Sequence, residues 1–379
     1  MKAVEFPGDR IDSTWTDSQV IANVTAISDG PLADAAHRID DGHYPLEIMG
    51  SLGAAGAFGA HLERGGRRVG LALDAMRAVS RRCGSTGFLT WAHDVCGLYM
   101  EQSGNPALTG ELLDDHTMGR TFGGTALSNP MKAIAGIEKM LLRAVKVPGG
   151  YHVSGALPWV SHIAPGHYCG AMAGVVRDDG SLSHEIMFLL KFTPEVVLRQ
   201  CPEFSGMEGT STWGVRLDNY FVGDAAMIAD PARPLIAKIR AVFVLLQAGM
   251  AIGIAQGSID SIREVEPVLG HVNQFLEDGP AELQAEYDEL ESRVAKLAET
   301  PYDDSKDYLL HVLDARVQGA QLALRAANSA LMHQGARGYL MSAAPQRRIR
   351  EAQFVAIVTP AIKHLRWEMA RLSKEEIPE

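Results

Sequence analysis

The hydrophobic period of this chain changes twice, and that limits its fold more than any single motif. From residue 31 to about 118, apolar residues recur every three to four positions, the spacing of helices with one buried face. Leu46, Ile48, Met49 and Leu52 form one such face after Pro45, which suits a first helical position. Asn105-Pro106 opens a further short helix, with Leu108, Leu112 and Leu113 inward. From about 120 to 230 the period falls to two. Residues 144–147 and 151–154 flank Pro148-Gly149-Gly150 as a hairpin, and 169–176 and 185–192 flank Asp178-Asp179-Gly180 as a second. Residues 213–222 alternate again. Near 233 the helical pattern returns and persists. Leu283, Tyr287, Leu290, Val294 and Leu297 follow Asp278-Gly279-Pro280 at bundle-seam spacing. Asp303-Asp304-Ser305 opens a long helix to His333-Gln334-Gly335, and a last helix is expected over 346–373. The expected fold class is α+β in three parts: an N-terminal all-α domain (1–119), a middle antiparallel β domain (120–230) and a C-terminal four-helix bundle (231–379).

A chain of 379 residues exceeds what one hydrophobic core usually serves. Its net charge of −11 argues against nucleic acid or an anionic membrane as the main partner. Cys83, Cys96, Cys169 and Cys201 form no CxxC pair, so neither a zinc site nor a disulfide framework is expected; a reducing cytoplasm fits best. The N-terminus has early acids and no apolar h-region, so no signal peptide is expected. The longest apolar run, residues 241–255, is short for a membrane span and contains Gln247. It reads as a bundle helix buried on most sides, with a large partner surface.

Trp159-Val160-Ser161-His162 carries the sharpest chemical signal. Side chains two apart on a strand share a face, so an indole and a hydroxyl stand side by side. A flat heteroaromatic ligand can stack on Trp159 while Ser161 bonds its edge; a core Trp beside a strand-end Ser gives the same pattern.

The surrounding motifs bear on that choice. Residues 40–56 (DDGHYPLEIMGSLGAAG), the His93 to Leu113 stretch, Thr125-Ala-Leu-Ser-Asn-Pro130, Trp159-Val-Ser161, the Met207 to Val222 segment, and Gln334-Gly-Ala-Arg-Gly-Tyr339 with Pro345 and Arg350-Glu-Ala352 stand in this order. Together they resemble the acyl-CoA dehydrogenase superfamily of flavoproteins over nearly the whole chain. The resemblance implies a β-barrel-like middle domain between helical parts and a flavin cofactor, FAD with FMN as the alternative. It also implies an acyl-CoA substrate oxidised at a CH–CH group, and a homodimer or homotetramer, with a heteromer as the alternative. It implies neither nucleic acid nor membrane as partner. By the same resemblance, Trp159 stacks on the isoalloxazine, Ser161 bonds near N5, and backbone groups at Leu127 and Ser128 meet the ring's polar edge. Gly335 and Ala336 approach the pyrophosphate, where small residues let the backbone come close.

The chain also departs from the family. Acyl-CoA dehydrogenases use a carboxylate to take the proton α to the thioester. In the commonest pattern that Glu stands where Thr359 lies here, and the second known base position holds Phe243. Both are expected on the substrate side, and neither takes a proton. Glu351 reads as structural. The Gly-rich loop after the "E-P" motif is shortened to Met131-Lys-Ala-Ile-Ala135, and residues 265–274 carry no Arg for a neighbouring subunit's pyrophosphate. His93-Asp94 reads as packing rather than a metal or relay pair. His162 is a candidate for the substrate side, His333 and His364 have no assigned role, and Arg347-Arg348-Ile349-Arg350 reads as a salt-bridged face. Three readings follow: an acyl-thioester dehydrogenase with a displaced base, a reduced-flavin-dependent monooxygenase of the same fold, and a non-catalytic subunit of a heteromeric dehydrogenase.

Overall fold

The computed structural model describes residues 15–374. Seven helices precede the sheet: α1 (Asp17–Ile27), α2 (Ala33–Asp40), α3 (Leu46–Ala54), α4 (Val69–Arg82), α5 (Gly84–Gln102), α6 (Pro106–Thr109) and α7 (Glu111–Thr117). Then come β1 (Gly123–Thr125), α8 (Ser128–Ile134), β2 (Leu142–Val147), β3 (Gly150–Val160), β4 (Tyr168–Val176), β5 (Leu182–Lys191), β6 (Val197–Gln200), β7 (Trp213–Gly223) and β8 (Met227–Ala229). The chain closes with α9 (Arg233–Arg263), α10 (Glu266–Asn273), α11 (Pro280–Leu297), α12 (Lys306–Gln334), α13 (Ala344–Ile357) and α14 (Ile362–Lys374).

Both expected hairpins form, β2–β3 and β4–β5, and the strand order is β6-β7-β3-β2-β4-β5-β8. The sheet is mixed rather than wholly antiparallel. β1 and part of β2 both run parallel to β4, with Gly123 opposite Tyr168 and Arg143 opposite Gly174. Period-two alternation reports which face a residue takes but not the direction of its neighbour, so this pairing was invisible in the pattern. β4 is buried on both faces over most of its length, because one face meets the sheet's own core and the other meets α5.

Two further differences have local causes. α1 lies ahead of residue 31, where the helical reading began. Its signal was a capping box: Thr16 accepts from the Gln19 N–H, and the Gln19 side chain accepts from the Thr16 N–H. The single helix expected over 346–373 is two, α13 and α14. Pro360 has no N–H and pushes Thr359 out of the helical region, so the chain turns there.

The helices before and after the sheet share one hydrophobic core, while the strands build a second. Apolar and long enough to cross a membrane, α9 nonetheless has most of its apolar window inside this fold. Its approach to α4 depends on three glycines four residues apart. A Cβ at Gly253 would lie 2.6 Å from the Arg77 carbonyl oxygen, one at Gly257 would lie 2.3 Å from that of Arg81, and one at Gly249 would lie 3.1 Å from that of Leu73. Gly253→Leu is expected to cost about 3 kcal/mol or more in urea unfolding, because the α4 backbone cannot yield to a side chain there. Wild-type stability in that variant would show that the two helices do not meet at Gly253.

Candidate functional site

Trp159 is the penultimate residue of β3 with 54% of its surface exposed, while Val160 beside it is buried. Its one aromatic neighbour among the described residues is Phe204, edge-on at 6.4 Å. The indole face therefore stands open rather than packed in the core. Ser161 follows on the same side and belongs to a directed hydroxyl chain. Thr210 donates to the Met207 carbonyl at 2.7 Å, so its oxygen accepts from Thr212 at 2.8 Å, and the Thr212 oxygen in turn accepts from Ser161 at 2.7 Å. With its proton committed, Ser161 offers lone pairs outward.

The loop after β1 reaches a second part of the site. Leu127 is the N-cap of α8, the short helix formed where a flavin loop was expected, and no side chain caps its first turn. Backbone N–H groups at Ser128 and Asn129 thus begin a helix without an intrahelical acceptor. The Ser128 hydroxyl lies 2.9 Å from that of Thr359, 231 residues away. The Thr359 carbonyl accepts from Gln247 Nε2 at 2.9 Å, and Gln247 Oε1 accepts from Arg316 Nε at 2.9 Å. Arg316 also donates to the Val355 carbonyl at 2.5 Å. This explains the lone Gln in the apolar run: it ties the turn between α13 and α14 to a guanidinium buried in the bundle. Burial pulls Arg316 down to about 10, and no carboxylate bonds it among the described residues.

Phe243 stands on α9 but does not line the cavity beside α8. Its ring packs edge-on against Trp91 at 5.1 Å, and its carbonyl accepts from the Trp91 indole. Neighbouring residues on a helix point about 100° apart, so Val244 faces the adjoining cavity instead. That cavity, about 240 Å³, lies between α8, α9 and α14 and also touches Met131, Pro360, His364 and Glu368. Its acid, Glu368, is buried and ion-paired with Arg240, with Arg371 at 3.5 Å and His364 at 4.0 Å. A larger cavity of about 610 Å³ shares Arg240, and none of the expected site residues lines either cavity.

Gly335 and Ala336 sit at the far end of α12. Gly335 has φ +59°, with no atom within 4 Å of where a Cβ would be, so its backbone is approachable. No hydrogen bond among the described residues joins this turn to α8 or to the sheet. Glu351 is structural: it accepts from the Gly84 N–H at 2.9 Å and from Arg347 at 3.2 Å. The arginine cluster is likewise internal; Arg348 donates to Ser261 and Arg350 pairs bidentately with Asp40.

His93, His116 and His162 are fully buried behind the site, a group that sequence reading had left scattered. His93 and His116 stack at 3.6 Å, and each ring bonds the other's carbonyl. His162 Nδ1 lies 2.7 Å from the Tyr44 hydroxyl, so the ring points inward, away from the α8 cavity. Asp94 faces the buried His61 at 3.8 Å.

Solved structures share this arrangement of helices and sheet. Butyryl-CoA dehydrogenase from Megasphaera elsdenii matches over 98% of this chain and 100% of its own, with TM-score 0.81 and 16% identity. The chain has the acyl-CoA dehydrogenase fold. Dibenzothiophene monooxygenase from Paenibacillus sp. A11-2 has the same fold, with TM-score 0.78 and 15% identity over 95% of this chain and 98% of its own. By sequence, a probable acyl-CoA dehydrogenase of Bacillus subtilis is 22% identical over 86% of this chain and 89% of its own. A pigment production hydroxylase of Rhodococcus sp. is 28% identical over 42% of this chain and 38% of its own. No protein-family model matches the chain. The acyl-CoA dehydrogenase fold therefore holds both dehydrogenases and oxygen-using enzymes among the relatives of this chain.

Proposed function

We propose that this protein is a flavin-dependent oxidoreductase that hydroxylates a small organic substrate using reduced flavin and O2. The observation that carries the proposal is the chemistry at the two base positions: Thr359 holds a hydroxyl bonded to Ser128, and Phe243 is an apolar ring packed against Trp91. The cavity's carboxylate, Glu368, is clamped by arginine. Abstraction of an α-proton needs a free base within reach, and these residues offer none. Hydroxylation has no such step. Bound reduced flavin would supply two electrons to O2, one oxygen atom entering a substrate C–H bond and the other leaving as water.

The residues fit a flavin. The open indole of Trp159 provides a platform for the ring. Ser161, its proton held by Thr212, favours a donor, which is what N5–H of a reduced flavin presents. Leu127 and Ser128 would meet the ring's edge with free backbone donors, and the turn at Gly335 and Ala336 would admit a dinucleotide's phosphates. Thr359 would line the substrate side. Exposed Val268, Val272, Phe275, Tyr339 and Met341 near that turn support a homo-oligomer that covers them. Free thiols at Cys83, Cys96 and Cys169, all buried, support a reducing cytoplasm.

The test is anaerobic addition of an acyl-CoA such as butyryl-CoA to flavin-loaded protein, followed by O2 uptake with a separate flavin reductase. No bleaching in the first step and substrate-dependent O2 consumption in the second are expected. Bleaching by the thioester would overturn the proposal in favour of a dehydrogenase. Trp159→Ala is expected to weaken flavin binding by about tenfold or more, since base–aromatic stacking contributes roughly 1–3 kcal/mol. Its melting temperature should barely change, because the indole is half exposed; unchanged flavin affinity would remove Trp159 from the site.

A further inference from the structure

Arg316 is a buried cation that the bundle leaves without a counter-ion. It is 0% exposed on α12, and its Nη1 has no hydrogen-bond partner among the described residues. The groups that do bond it are neutral: the Gln247 amide on α9 and the Val355 carbonyl on α13. The buried acids of α13 and α14 are committed elsewhere, Glu351 to Arg347 and Glu368 to Arg240. Even pulled down to about 10 by burial, the guanidinium stays charged near neutral pH. Neutral dipoles solvate such a charge but do not cancel its field, and a buried charge without an ionic partner is costly.

That field reaches the candidate site. Gln247 accepts from Arg316 Nε at 2.9 Å and donates to the Thr359 carbonyl at 2.9 Å, so its amide dipole turns its positive end toward the turn between α13 and α14. The Thr359 hydroxyl lies 2.9 Å from that of Ser128, in the first turn of α8. Three links of this length keep the guanidinium within roughly 15 Å of Ser128. Over that span, at an effective dielectric of about 20, a unit charge still shifts an equilibrium by about fivefold, and salt screens a buried charge little. By the reading proposed above, a flavin's edge lies beside Leu127 and Ser128. The oxidised ring is neutral, whereas the reduced ring loses a proton near neutral pH and becomes an anion. We infer that Arg316, held by Gln247, makes this site favour the anionic reduced flavin over the oxidised one. This rests on the flavin reading and deepens it. Arg316 touches neither ring nor substrate; it is a positioning residue that sets the charge behind the site.

Binding of FMN to the full chain, oxidised and dithionite-reduced, at mildly alkaline pH without oxygen, tests the inference without any turnover. Wild-type protein is expected to bind the reduced form more tightly. Ser161 also contributes to that preference through N5–H, so the deciding quantity is its change on substitution. Gln247→Glu sets a carboxylate of the same shape against the guanidinium. The preference should fall about fivefold while the thermal midpoint holds or rises, because the buried charge gains a partner. Arg316→Met should lower the preference likewise, and Arg316→Lys, which keeps the charge, should retain it. A merely structural tie would move the thermal midpoint and leave the ratio alone. An unchanged ratio in folded Gln247→Glu protein, or equal loss in Arg316→Lys and Arg316→Met, would overturn the inference. The outcome is separable from the reading beneath it. Flavin bound without a charge-dependent preference removes this inference alone, and the oxygen test still decides the hydroxylation. No binding of either form at millimolar concentration removes the flavin reading as well.

Discussion

Lowering the pH from 7.5 to 5 is expected to strip this protein of most of its stability. Burial pushes His61 down to about 4 and His93 to about 3, and it holds His116 and His162 well below their usual range. All four are neutral when folded and free to bind protons when unfolded. Their contribution is therefore complete above the unfolded value near 6.5 and is lost progressively as pH falls below it, toward about 3. Asp94 works against them: burial raises its carboxyl well above the ordinary value, so the folded state already holds that proton. Four histidines against one carboxyl leave the unfolded state about three protons richer between pH 6 and 5, a slope of roughly 4 kcal/mol per pH unit. That slope exhausts a marginal stability of ~5–15 kcal/mol within a few units. Urea midpoints at intervals from pH 7.5 to 5 measure it. A flat profile would mean that these rings find protons or partners inside the fold.

Glu351→Ala should be the most damaging single substitution near the site that touches no ligand. Glu351 accepts from the first N–H of α5 at Gly84 and from Arg347, and both it and Arg347 are buried. Removing the carboxylate uncaps α5 and leaves a buried guanidinium without its partner, a loss of about 3–5 kcal/mol. α5 carries Trp91 and His93 into the layer behind the sheet, so flavin retention should fall together with stability. Glu351→Gln keeps an acceptor for Gly84 and should cost less. The neighbour offers a second check: a Cβ on Gly84 would lie 2.8 Å from the Glu351 side chain, so Gly84→Ala should be tolerated better once Glu351 is already Ala. Urea unfolding of the single and double variants decides it. A cost below about 1 kcal/mol for Glu351→Ala would show that water replaces the carboxylate at little penalty.

Much of the site was readable because the relevant constraint was local. Trp159 and Ser161 share a face by strand alternation. Glu351 read as structural only through the resemblance of Arg350-Glu-Ala352 to the family's motif, whereas Gln247 stood out as a polar residue in an apolar helix. What escaped notice depended on distant partners. Ser128 and Thr359 meet across 231 positions, and Phe243 and Val244 could not be told apart until α9 had a rotation. His364 and Glu368 already stood one turn apart in the helix expected over 346–373, but the pairing of Glu368 with Arg240 on α9 needed the fold.

The sequence by itself determined the order of helix, sheet and helix, the hairpins and the indole–hydroxyl pair, because periodicity and turn chemistry act over a few residues. Tertiary structure alone decided that the flanking helices share one core, that β4 has parallel neighbours, and that four histidines gather unprotonated behind the site. It also joined Thr359, at an empty base position, to Ser128 on one side and through Gln247 to a buried guanidinium on the other. Those outcomes depend on burial and on contacts between distant segments, which fix both the partners and the dielectric that each polar group meets.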